Sequence, residues 1–403
     1  MSALAISSLL AGLAVVISAR AIRGRFYAIF ALVLLSLQSF VGAELIPRFL
    51  EISPWLYGVA LYLHASVYVH LASLLFAKLR PLPWRALVSI PAHFMFGASF
   101  LAFPWAIGQA LGADPGYLWA PYALALLGVL HSLTSRTSLV DLYLDAIDIG
   151  DRVRRYPMGR ASVERPLTLV QITDPHLGPW MSVARLKRVV QRAVDRKPDL
   201  ILLTGDFLTM ESNGDPDALA EALSPLRAMP GRVFACRGNH DLEARETVAE
   251  GLSRAGVPLL VDEARVVETP AGPVQVLGLD FNWRDREARM RQACAANPRV
   301  EGASRLVLLH DPGAFKLLPK IEADLVLSGH THGGQVGIAH RLLALTPLWP
   351  LFRLPDHGFF ARGRARLYVH RGSGHYGFPL RIGVTSEESL LRVHHGAAPS
   401  LGG

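Results

Sequence analysis

Five short polar blocks in the second half of the chain decide its fold: Asp174-Pro-His176, Gly205-Asp206, Gly238-Asn-His-Asp241, His310 and Gly329-His-Thr-His332. Each block follows an apolar run, and in chain order these runs read LTLVQIT, DLILLT, RVFAC, RLVLL and DLVLS. Short apolar runs bounded by polar residues are typical of buried strands. Helical stretches separate the runs, so the pattern predicts an α/β arrangement with a polar block at the end of each strand.

The polar blocks bring many metal-ligating side chains to one place. In open α/β sheets, ligands bind beyond the carboxyl ends of the strands. Seven side chains of Asp, Asn and His type at this edge are too many for one ion and suit two. A mixed oxygen and nitrogen set favours Mn²⁺, Fe or Zn²⁺, with Mn²⁺ preferred, over Ca²⁺ or Mg²⁺. Two such ions close together clamp a phosphoryl group and generate a hydroxide nucleophile.

Each block taken alone has a simpler interpretation. An isolated Asp-x-His is usually a surface turn. Gly-Asn-His-Asp alone is equally compatible with a turn in which Asp241 caps a helix predicted over 242–255. The order of all five blocks, each after an apolar run, favours the metal site over these alternatives.

Taken together, the blocks resemble the signature of the calcineurin-like metallophosphoesterase superfamily, which reads D-x-H, GD, GNH(D/E), H and GHxH. The resemblance covers residues 165–396, and every block is complete. His332-Gly-Gly-Gln335 and Leu367-Tyr-Val-His-Arg-Gly-Ser-Gly374 are similar to the bacterial, membrane-associated branch. Some relatives in that region of the superfamily hydrolyse UDP-2,3-diacylglucosamine. The resemblance implies a four-layer α/β/β/α sandwich and a metal-dependent phosphoesterase activity.

The resemblance also implies a role for each residue of the site. It assigns one metal to Asp174, His176, Asp206 and His332, and the second to Asp206, Asn239, His310 and His330. Asp206 then bridges the two ions, which its two carboxylate oxygens allow. His240 is expected to be the general acid that protonates the leaving group, and the alternative is a hydrogen bond that only orders the loop. Pro175 departs from the family, which more often has leucine there, and it stiffens the turn without removing a ligand.

The first 135 residues are dominated by apolar runs at about 3–19, 26–43, 55–78, 86–112 and 117–134. Each run is near or above the length that crosses a bilayer, so we expect about five transmembrane helices. The N-terminal MSALAISS lacks the basic region of a signal peptide. We therefore expect the first run to be retained as a helix.

Basic residues between the runs predict the orientation in the membrane. In order, the four breaks hold Arg20, Arg23 and Arg25; then Arg48; then Lys78, Arg80 and Arg85; then none. By the positive-inside rule, the first and third breaks are cytoplasmic. With an odd number of spans, the sequence predicts a multi-pass inner (cell) membrane protein with an external N-terminus and a cytoplasmic catalytic domain.

The net charge of +8 and the pI of about 9.7 do not indicate nucleic-acid binding. Residues 1–135 carry seven Lys and Arg against three Asp and Glu, and the remainder carries thirty-four against thirty. Much of the excess of positive charge therefore comes from the basic residues that orient the helices in the membrane. The cluster Arg152, Arg154, Arg155 and Arg160 suits either anionic headgroups or a solvated linker.

An apolar segment, Leu342-Leu-Ala-Leu-Thr-Pro-Leu-Trp-Pro-Leu-Phe352, follows the last metal block. It is too short to span a membrane, and its position places it near the mouth of the site. Trp349 and Phe352 suit contact with the bilayer or with an acyl chain, since amphipathic aromatics favour the interface. The alternative is that the segment packs on the sheet of its own domain.

Two further sets of residues are interpreted as structural. Cys236 and Cys294 exclude a disulfide framework and fit a reducing compartment. Four histidines at 64, 70, 93 and 131 lie in the apolar half. Ionisable residues in spans are functional candidates, but neutral histidine also joins helices by hydrogen bonds, and we favour that role here.

The sequence therefore predicts a membrane domain over 1–135, a linker and lead-in over 136–164, a metallophosphoesterase domain over 165–396 and a tail over 397–403. The predicted enzyme binds two divalent ions and cleaves a phosphodiester, pyrophosphate or phosphomonoester. Its expected partners are membrane lipids and a phosphorylated substrate, for which a lipid-linked compound of the UDP-diacylglucosamine type is the example. Two alternatives remain open: a membrane sensor or transport accessory that binds a phosphorylated ligand, and a membrane-attached nuclease.

Overall fold

The computed structural model describes residues 2–114, 116–145, 147–158, 165–339, 344–375 and 379–395. The chain divides into two compact units. The first comprises Met1–Leu133 with Gly377–Arg381, and the second comprises Thr134–Tyr376 with Ile382–Gly403. The predicted tail over 397–403 lies outside the described residues.

The first unit is helical. Its helices are α1 (Ala3–Ile22), α2 (Arg25–Ile52), α3 (Pro54–Ser73), α4 (Leu82–Trp84), α5 (Ile90–Ala110) and α6 (Ala120–Ser132), with a π-helical turn over Arg85–Ser89. Among the described residues, three helical stretches are long and apolar enough to cross a membrane, namely Ala3–Ile22, Arg25–Ile52 and Leu82–Ala110. The remaining two predicted runs are also helical, and the number of five spans stays a prediction.

A buried histidine joins the helices of this unit. His64 on α3 contacts the Ser8 hydroxyl through Nε2 and the Gln38 amide through Nδ1, both at 2.8 Å. Ser99 on α5 donates to Gln38 Oε1 at 2.8 Å, so the network reaches four helices. Gly42 makes room for the ring, because a Cβ there would lie 2.4 Å from His64 Cε1. These contacts support the structural interpretation of this histidine.

The second unit is built on two main sheets with the strand orders β1-β14-β3-β4-β5 and β2-β12-β13-β9-β8-β7-β6. Its strands are β1 (Ser135–Leu144), β2 (Arg154–Arg155), β3 (Leu167–Ile172), β4 (Leu200–Leu203), β5 (Val233–Ala235), β6 (Glu263–Thr269), β7 (Gly272–Gly278), β8 (Ser304–Leu308), β9 (Leu325–Ser328), β10 (Ile338–Ala339), β11 (Ala344–Leu345), β12 (Gly358–Arg362), β13 (Ala365–Val369) and β14 (Ser386–His395). Its helices are α7 (Val183–Asp195), α8 (Pro216–Leu223), α9 (Arg245–Arg254), α10 (Arg286–Ala296) and α11 (Leu348–Phe352).

The layers follow from which side of each strand is apolar. Leu306 and Leu308 of β8 face the core that lies between the two sheets, whereas Val307 faces α10 on the other side. Side chains alternate along a strand, so a strand that is apolar at every position is buried on both faces. The helices α7 and α8 connect the parallel strands β3, β4 and β5. The predicted α/β/β/α sandwich, preceded by an all-α region, is confirmed.

The predicted linker contains a strand of the first sheet. β1 pairs in parallel with β14, with Ser135 opposite Ser386 and Leu144 opposite His395. Its outward positions are exposed or half-buried, so its sequence lacks the continuous apolar character of the inner strands. The domain of sheets therefore begins right after the last helix of the first unit.

Candidate metal centre

The predicted ligands follow five strands. Asp174 and Asp206 follow β3 and β4 of the first sheet, and Asn239 follows β5. His310 follows β8 of the second sheet, and the block that holds His330 and His332 follows β9. β3, β4 and β5 are mutually parallel, as are β8 and β9. The candidate centre thus lies beyond the carboxyl ends of strands from both sheets.

The side chains form two clusters of possible metal ligands. Asp174, His176 and His332 compose the first, and Asp206, His310 and His330 compose the second, with the ligand atoms of each cluster within 4.8 Å of one another. In the first cluster, His332 Nε2 lies 3.2 Å from His176 Nε2 and 3.5 Å from Asp174 Oδ1. These separations leave each cluster able to hold one ion.

Asp206, a member of the second cluster, also approaches the first cluster. Its Oδ2 is 3.2 Å from His310 Nε2 and 3.7 Å from His176 Nε2. Its Oδ1 accepts a hydrogen bond from the backbone N–H of His240 at 2.9 Å. One carboxylate oxygen is thus in reach of an imidazole from each cluster, as a shared ligand requires.

Backbone carbonyls orient three of the imidazole rings. The Nδ1 atoms of His176, His310 and His332 lie 3.3, 2.6 and 3.3 Å from the carbonyl oxygens of Leu208, Thr204 and Gly374. A hydrogen bond at Nδ1 fixes the tautomer and leaves Nε2 as the free lone pair. In each ring, Nε2 is the atom that faces the cluster.

Asn239 carries a buried acceptor that the described residues do not satisfy. Its Oδ1 has no hydrogen-bond partner among them. A buried polar atom without a partner costs about 1–3 kcal/mol. A cation bound at this oxygen would remove that cost, so the residues present fit a bound metal.

Strained backbone holds the ligand loops in place. Asp174, His176, Asp206, His330 and His332 all have positive φ, between 47° and 71°. Such conformations are uncommon for residues other than glycine and cost about 1–3 kcal/mol each. Gly329 is required by a close approach, since a Cβ there would lie 2.2 Å from Asp174 Oδ2.

Burial and the neighbouring carboxylates give the buried histidines different charge states. Burial lowers the pKa of His176 to about 3 and that of His330 to about 4, so both rings are neutral at pH 7. For His310, burial also lowers the pKa, but the carboxylates of Asp206 and Asp174 outweigh it and raise the pKa to about 10. Metal binding at His310 therefore displaces a proton.

Asp241 organises the centre, and sequence reasoning missed this role. Its carboxylate accepts hydrogen bonds from the backbone N–H groups of Asp206, Phe207 and Gly238 at 2.7, 2.8 and 2.7 Å. The α-helix that follows begins only at Arg245. The alternative in which Asp241 caps that helix is therefore wrong, and the side chain instead ties the turn after β5 to the turn after β4.

His240 lies at the edge of the first cluster. Its ring centroid is 5.5 Å from that of His176, and its Nδ1 is 3.2 Å from Glu243 Oε1. Burial lowers the pKa of His240, but the carboxylates of Glu243 and Asp206 outweigh it and raise that pKa above its ordinary value. The hydrogen bond to Glu243 means that the loop-ordering alternative stays open beside the general-acid role.

The part of the chain that holds the candidate centre is similar to known proteins. Residues 167–334 match the calcineurin-like phosphoesterase family. Phosphodiesterase YaeI of Escherichia coli is 31% identical over 234 residues, which cover 57% of this chain and 82% of that protein. The chain belongs to the calcineurin-like phosphoesterase family. It is therefore a metal-dependent phosphoesterase that acts on a phosphorylated substrate, and its fold implies a site for two divalent ions.

Two further relatives support the same assignment. The uncharacterized metallophosphoesterase YkoQ of Bacillus subtilis is 30% identical over 235 residues, 57% of this chain and 84% of that protein. A transmembrane protein with metallophosphoesterase domain from Danio rerio is 31% identical over 238 residues, 55% of this chain and 52% of that protein. Together with the apolar helices of the first unit, this likeness indicates that the chain is a membrane protein.

The role of Asp241 predicts a stability defect that is separable from metal ligation. In Asp241→Asn, one acceptor oxygen becomes an amide donor that faces backbone N–H groups. A lost hydrogen bond to a charged group costs about 1.5–3 kcal/mol, so we expect the free energy of unfolding of the phosphoesterase domain to fall by about that amount. Denaturant unfolding measures it, with Asp217→Asn on the exposed start of α8 as the control. Equal unfolding curves for the two variants would contradict this role.

Proposed function

We propose that this chain is a membrane-anchored, dinuclear-metal phosphohydrolase whose substrate is a lipid-linked phosphodiester or pyrophosphate, for example of the UDP-diacylglucosamine type. One metal would be held by Asp174, His176, Asp206 and His332, and the other by Asp206, Asn239, His310 and His330. When bound, the ions supply a nucleophile at neutral pH and neutralise the phosphoryl oxygens. The oxygen and nitrogen donor set favours Mn²⁺ among the candidates.

The observation that carries the lipid proposal is an exposed apolar surface beside the ligand loops, which we call the apolar rim. Its residues and their exposed fractions are Val336 (38%), Ile338 (58%), Leu345 (52%), Leu351 (71%) and Phe352 (69%). Ile338 and Leu345 are opposite each other in the β10–β11 pair. Monomeric soluble proteins rarely leave large apolar patches in water. In a membrane protein, a hydrocarbon chain is the natural ligand for this rim.

Only part of the predicted apolar segment belongs to the rim. Residues 342 and 343 lie outside the described residues. Trp349 packs on its own domain, with its ring centroid 5.1 Å from that of Phe360 and the Arg155 guanidinium 5.9 Å from its centre. Trp349 thus packs against its own domain, which is the alternative to membrane contact, whereas Phe352 is exposed.

Asp356 connects the apolar rim to the ligand loops. This fully buried residue accepts a hydrogen bond from Thr346 Oγ1 at 2.6 Å and from Arg155 Nη2 at 2.5 Å. Its carbonyl oxygen accepts one from Thr331 Oγ1, at 2.5 Å. Thr331 stands between His330 and His332 in the chain. A substrate with its tail on the rim would therefore have its phosphate held near the metals.

Residue contacts in the helical unit support the proposed orientation. Arg23 lies in the first break between the apolar runs, and Leu74 lies beside the third break. Arg23 Nη1 donates to the Leu74 carbonyl at 2.9 Å, so the two basic breaks lie at the same end of the helical unit. Arg48, beside the second break, pairs with Glu51 and also with Asp114. The end that holds the two basic breaks would be cytoplasmic, and the phosphoesterase domain with it.

A reporter fused after Gly403 tests this orientation. The positive-inside rule and an odd number of spans predict a cytoplasmic C-terminus. Green fluorescence from a C-terminal fluorescent protein, together with no alkaline phosphatase activity from the matched fusion, is the expected pair of results. Active alkaline phosphatase at that position would place the domain outside the cytoplasm.

His240 is proposed to protonate the leaving group, because its ring adjoins the ligand clusters and its pKa is raised. Removing it in His240→Ala should lower kcat by about 10²–10⁴-fold and leave both metals bound. In Glu243→Gln the pKa of His240 falls, so the loss of activity with rising pH should begin at a lower pH than in the wild type. Metal content and pH–rate profiles measure both effects. A metal-depleted His240→Ala protein would show that His240 is a ligand and not an acid.

The apolar rim is tested by replacing Leu351 and Phe352 with serine. Each large apolar side chain that is buried against a ligand contributes about 1.5–3 kcal/mol. The double variant should therefore raise KM at least about tenfold for a UDP-linked diacyl lipid and leave kcat for bis-p-nitrophenyl phosphate unchanged. Turnover is measured on detergent-purified protein with Mn²⁺.

Two control variants accompany that experiment. Ile321→Ser changes a residue of the same domain that is 72% exposed, and neither substrate should be affected. Trp349→Ser removes packing on Phe360, so both substrates should be affected alike, together with a lower melting temperature. Equal losses on both substrates in the rim variant would refute the lipid proposal. Faster cleavage of single-stranded DNA than of the lipid would favour the nuclease alternative.

A further inference from the structure

A cavity of about 360 Å³ lies at the side of the phosphoesterase domain. Its lining comes from β1 and β14 of the first sheet and from β12, β13 and the loop after β13 of the second. The residues that matter here are Arg136, Asp141, Tyr368, Arg371 and Glu387. The volume is within the range of small-molecule sites. We propose that this cavity binds a second phosphate group of the substrate through the guanidinium groups of Arg136 and Arg371, an inference that rests on the proposed function.

Arg136 is the unusual residue of the cavity. It is half-buried, and its guanidinium group makes no ion pair or hydrogen bond within the part of the chain that the structure describes. A partly desolvated cation without a counter-charge is unfavourable. A phosphate group supplies that counter-charge and matches the fork geometry of a guanidinium group.

The carboxylates of the cavity are already engaged by other side chains. Asp141 accepts two hydrogen bonds from Arg392, at 2.8 and 2.7 Å, and lies 2.7 Å from His394 Nε2. Glu387 accepts hydrogen bonds from Tyr368 Oη and Ser389 Oγ and from the backbone N–H of Arg371. Neither carboxylate forms an ion pair with Arg136, so the charge of Arg136 is available to an anion.

Arg371 connects the cavity to the ligand loops. A Cβ on Gly333, the residue after His332, would lie 3.2 Å from Arg371 Cγ, so the stem of the arginine packs against that glycine. Three residues further on, the Gly374 N–H donates to the Asp174 carbonyl at 3.0 Å. An anion on the Arg371 guanidinium group therefore lies next to loops that carry ligands of the first cluster, and one substrate can contact both sites.

The first arm of the test measures binding without turnover. The full chain in phosphatidylcholine nanodiscs is stripped of metal, and inorganic pyrophosphate is titrated by calorimetry. Arg136→Gln should weaken pyrophosphate binding at least tenfold, and Arg265→Gln, an exposed arginine of β6, should leave it unchanged. No binding by the wild type, or equal affinities in the wild type and Arg136→Gln, would overturn the proposal.

The second arm measures discrimination between two substrates with Mn²⁺ present. Thymidine 5′-(p-nitrophenyl phosphate) is compared with the same compound carrying a 3′-phosphate. The wild type should prefer the 3′-phosphorylated compound in kcat/KM, and Arg136→Gln should lose at least tenfold of that preference with an unchanged rate on the other compound. An unchanged preference would overturn the proposal. If neither compound is hydrolysed, the proposed function fails. The pyrophosphate titration still tests whether the cavity binds phosphate.

Discussion

The shared position of the Asp206 carboxylate constrains the rest of the phosphoesterase domain. Its Oδ2 lies 3.2 Å from His310 Nε2 and 3.7 Å from His176 Nε2, and these imidazoles come from different sheets. To bring them together, both sheets must end at one place, with turns in strained, positive-φ conformations. Asp241 offsets part of that strain, because its carboxylate satisfies three backbone N–H groups of the turns around Asp206. The two-sheet sandwich is therefore the scaffold that places the Asp206 carboxylate within reach of imidazoles from both sheets.

In the proposed function, the apolar rim would hold the lipid tail and the cavity would hold a second phosphate group. Asp356 ties the rim to Thr331, which lies between two candidate ligands. Arg371 packs against Gly333 on the same loop while its guanidinium group lines the cavity. A substrate with an apolar tail and more than one phosphate group would fit this arrangement of surfaces.

Much of the fold could be predicted from the sequence, because the inner strands are continuous apolar runs with polar residues directly after them. The run LTLVQIT contains β3, and the runs RLVLL and DLVLS overlap β8 and β9. β1 was missed, because it is an edge strand with polar residues and its partner β14 is about 250 residues away in the chain. The contact of Asp241 with Asp206 and the packing of Trp349 on Phe360 depend on tertiary neighbours, which no local pattern of residues encodes.

The metal content of the Asp206→Asn variant tests the central claim most directly. Metal is counted by mass spectrometry on detergent-purified protein, with Asp217→Asn as the control at an exposed carboxylate. A bridging role predicts two ions in each wild-type and control chain, and loss of metal from both clusters together with loss of activity in Asp206→Asn. An Asp206→Asn protein that keeps two ions and full activity would contradict the account.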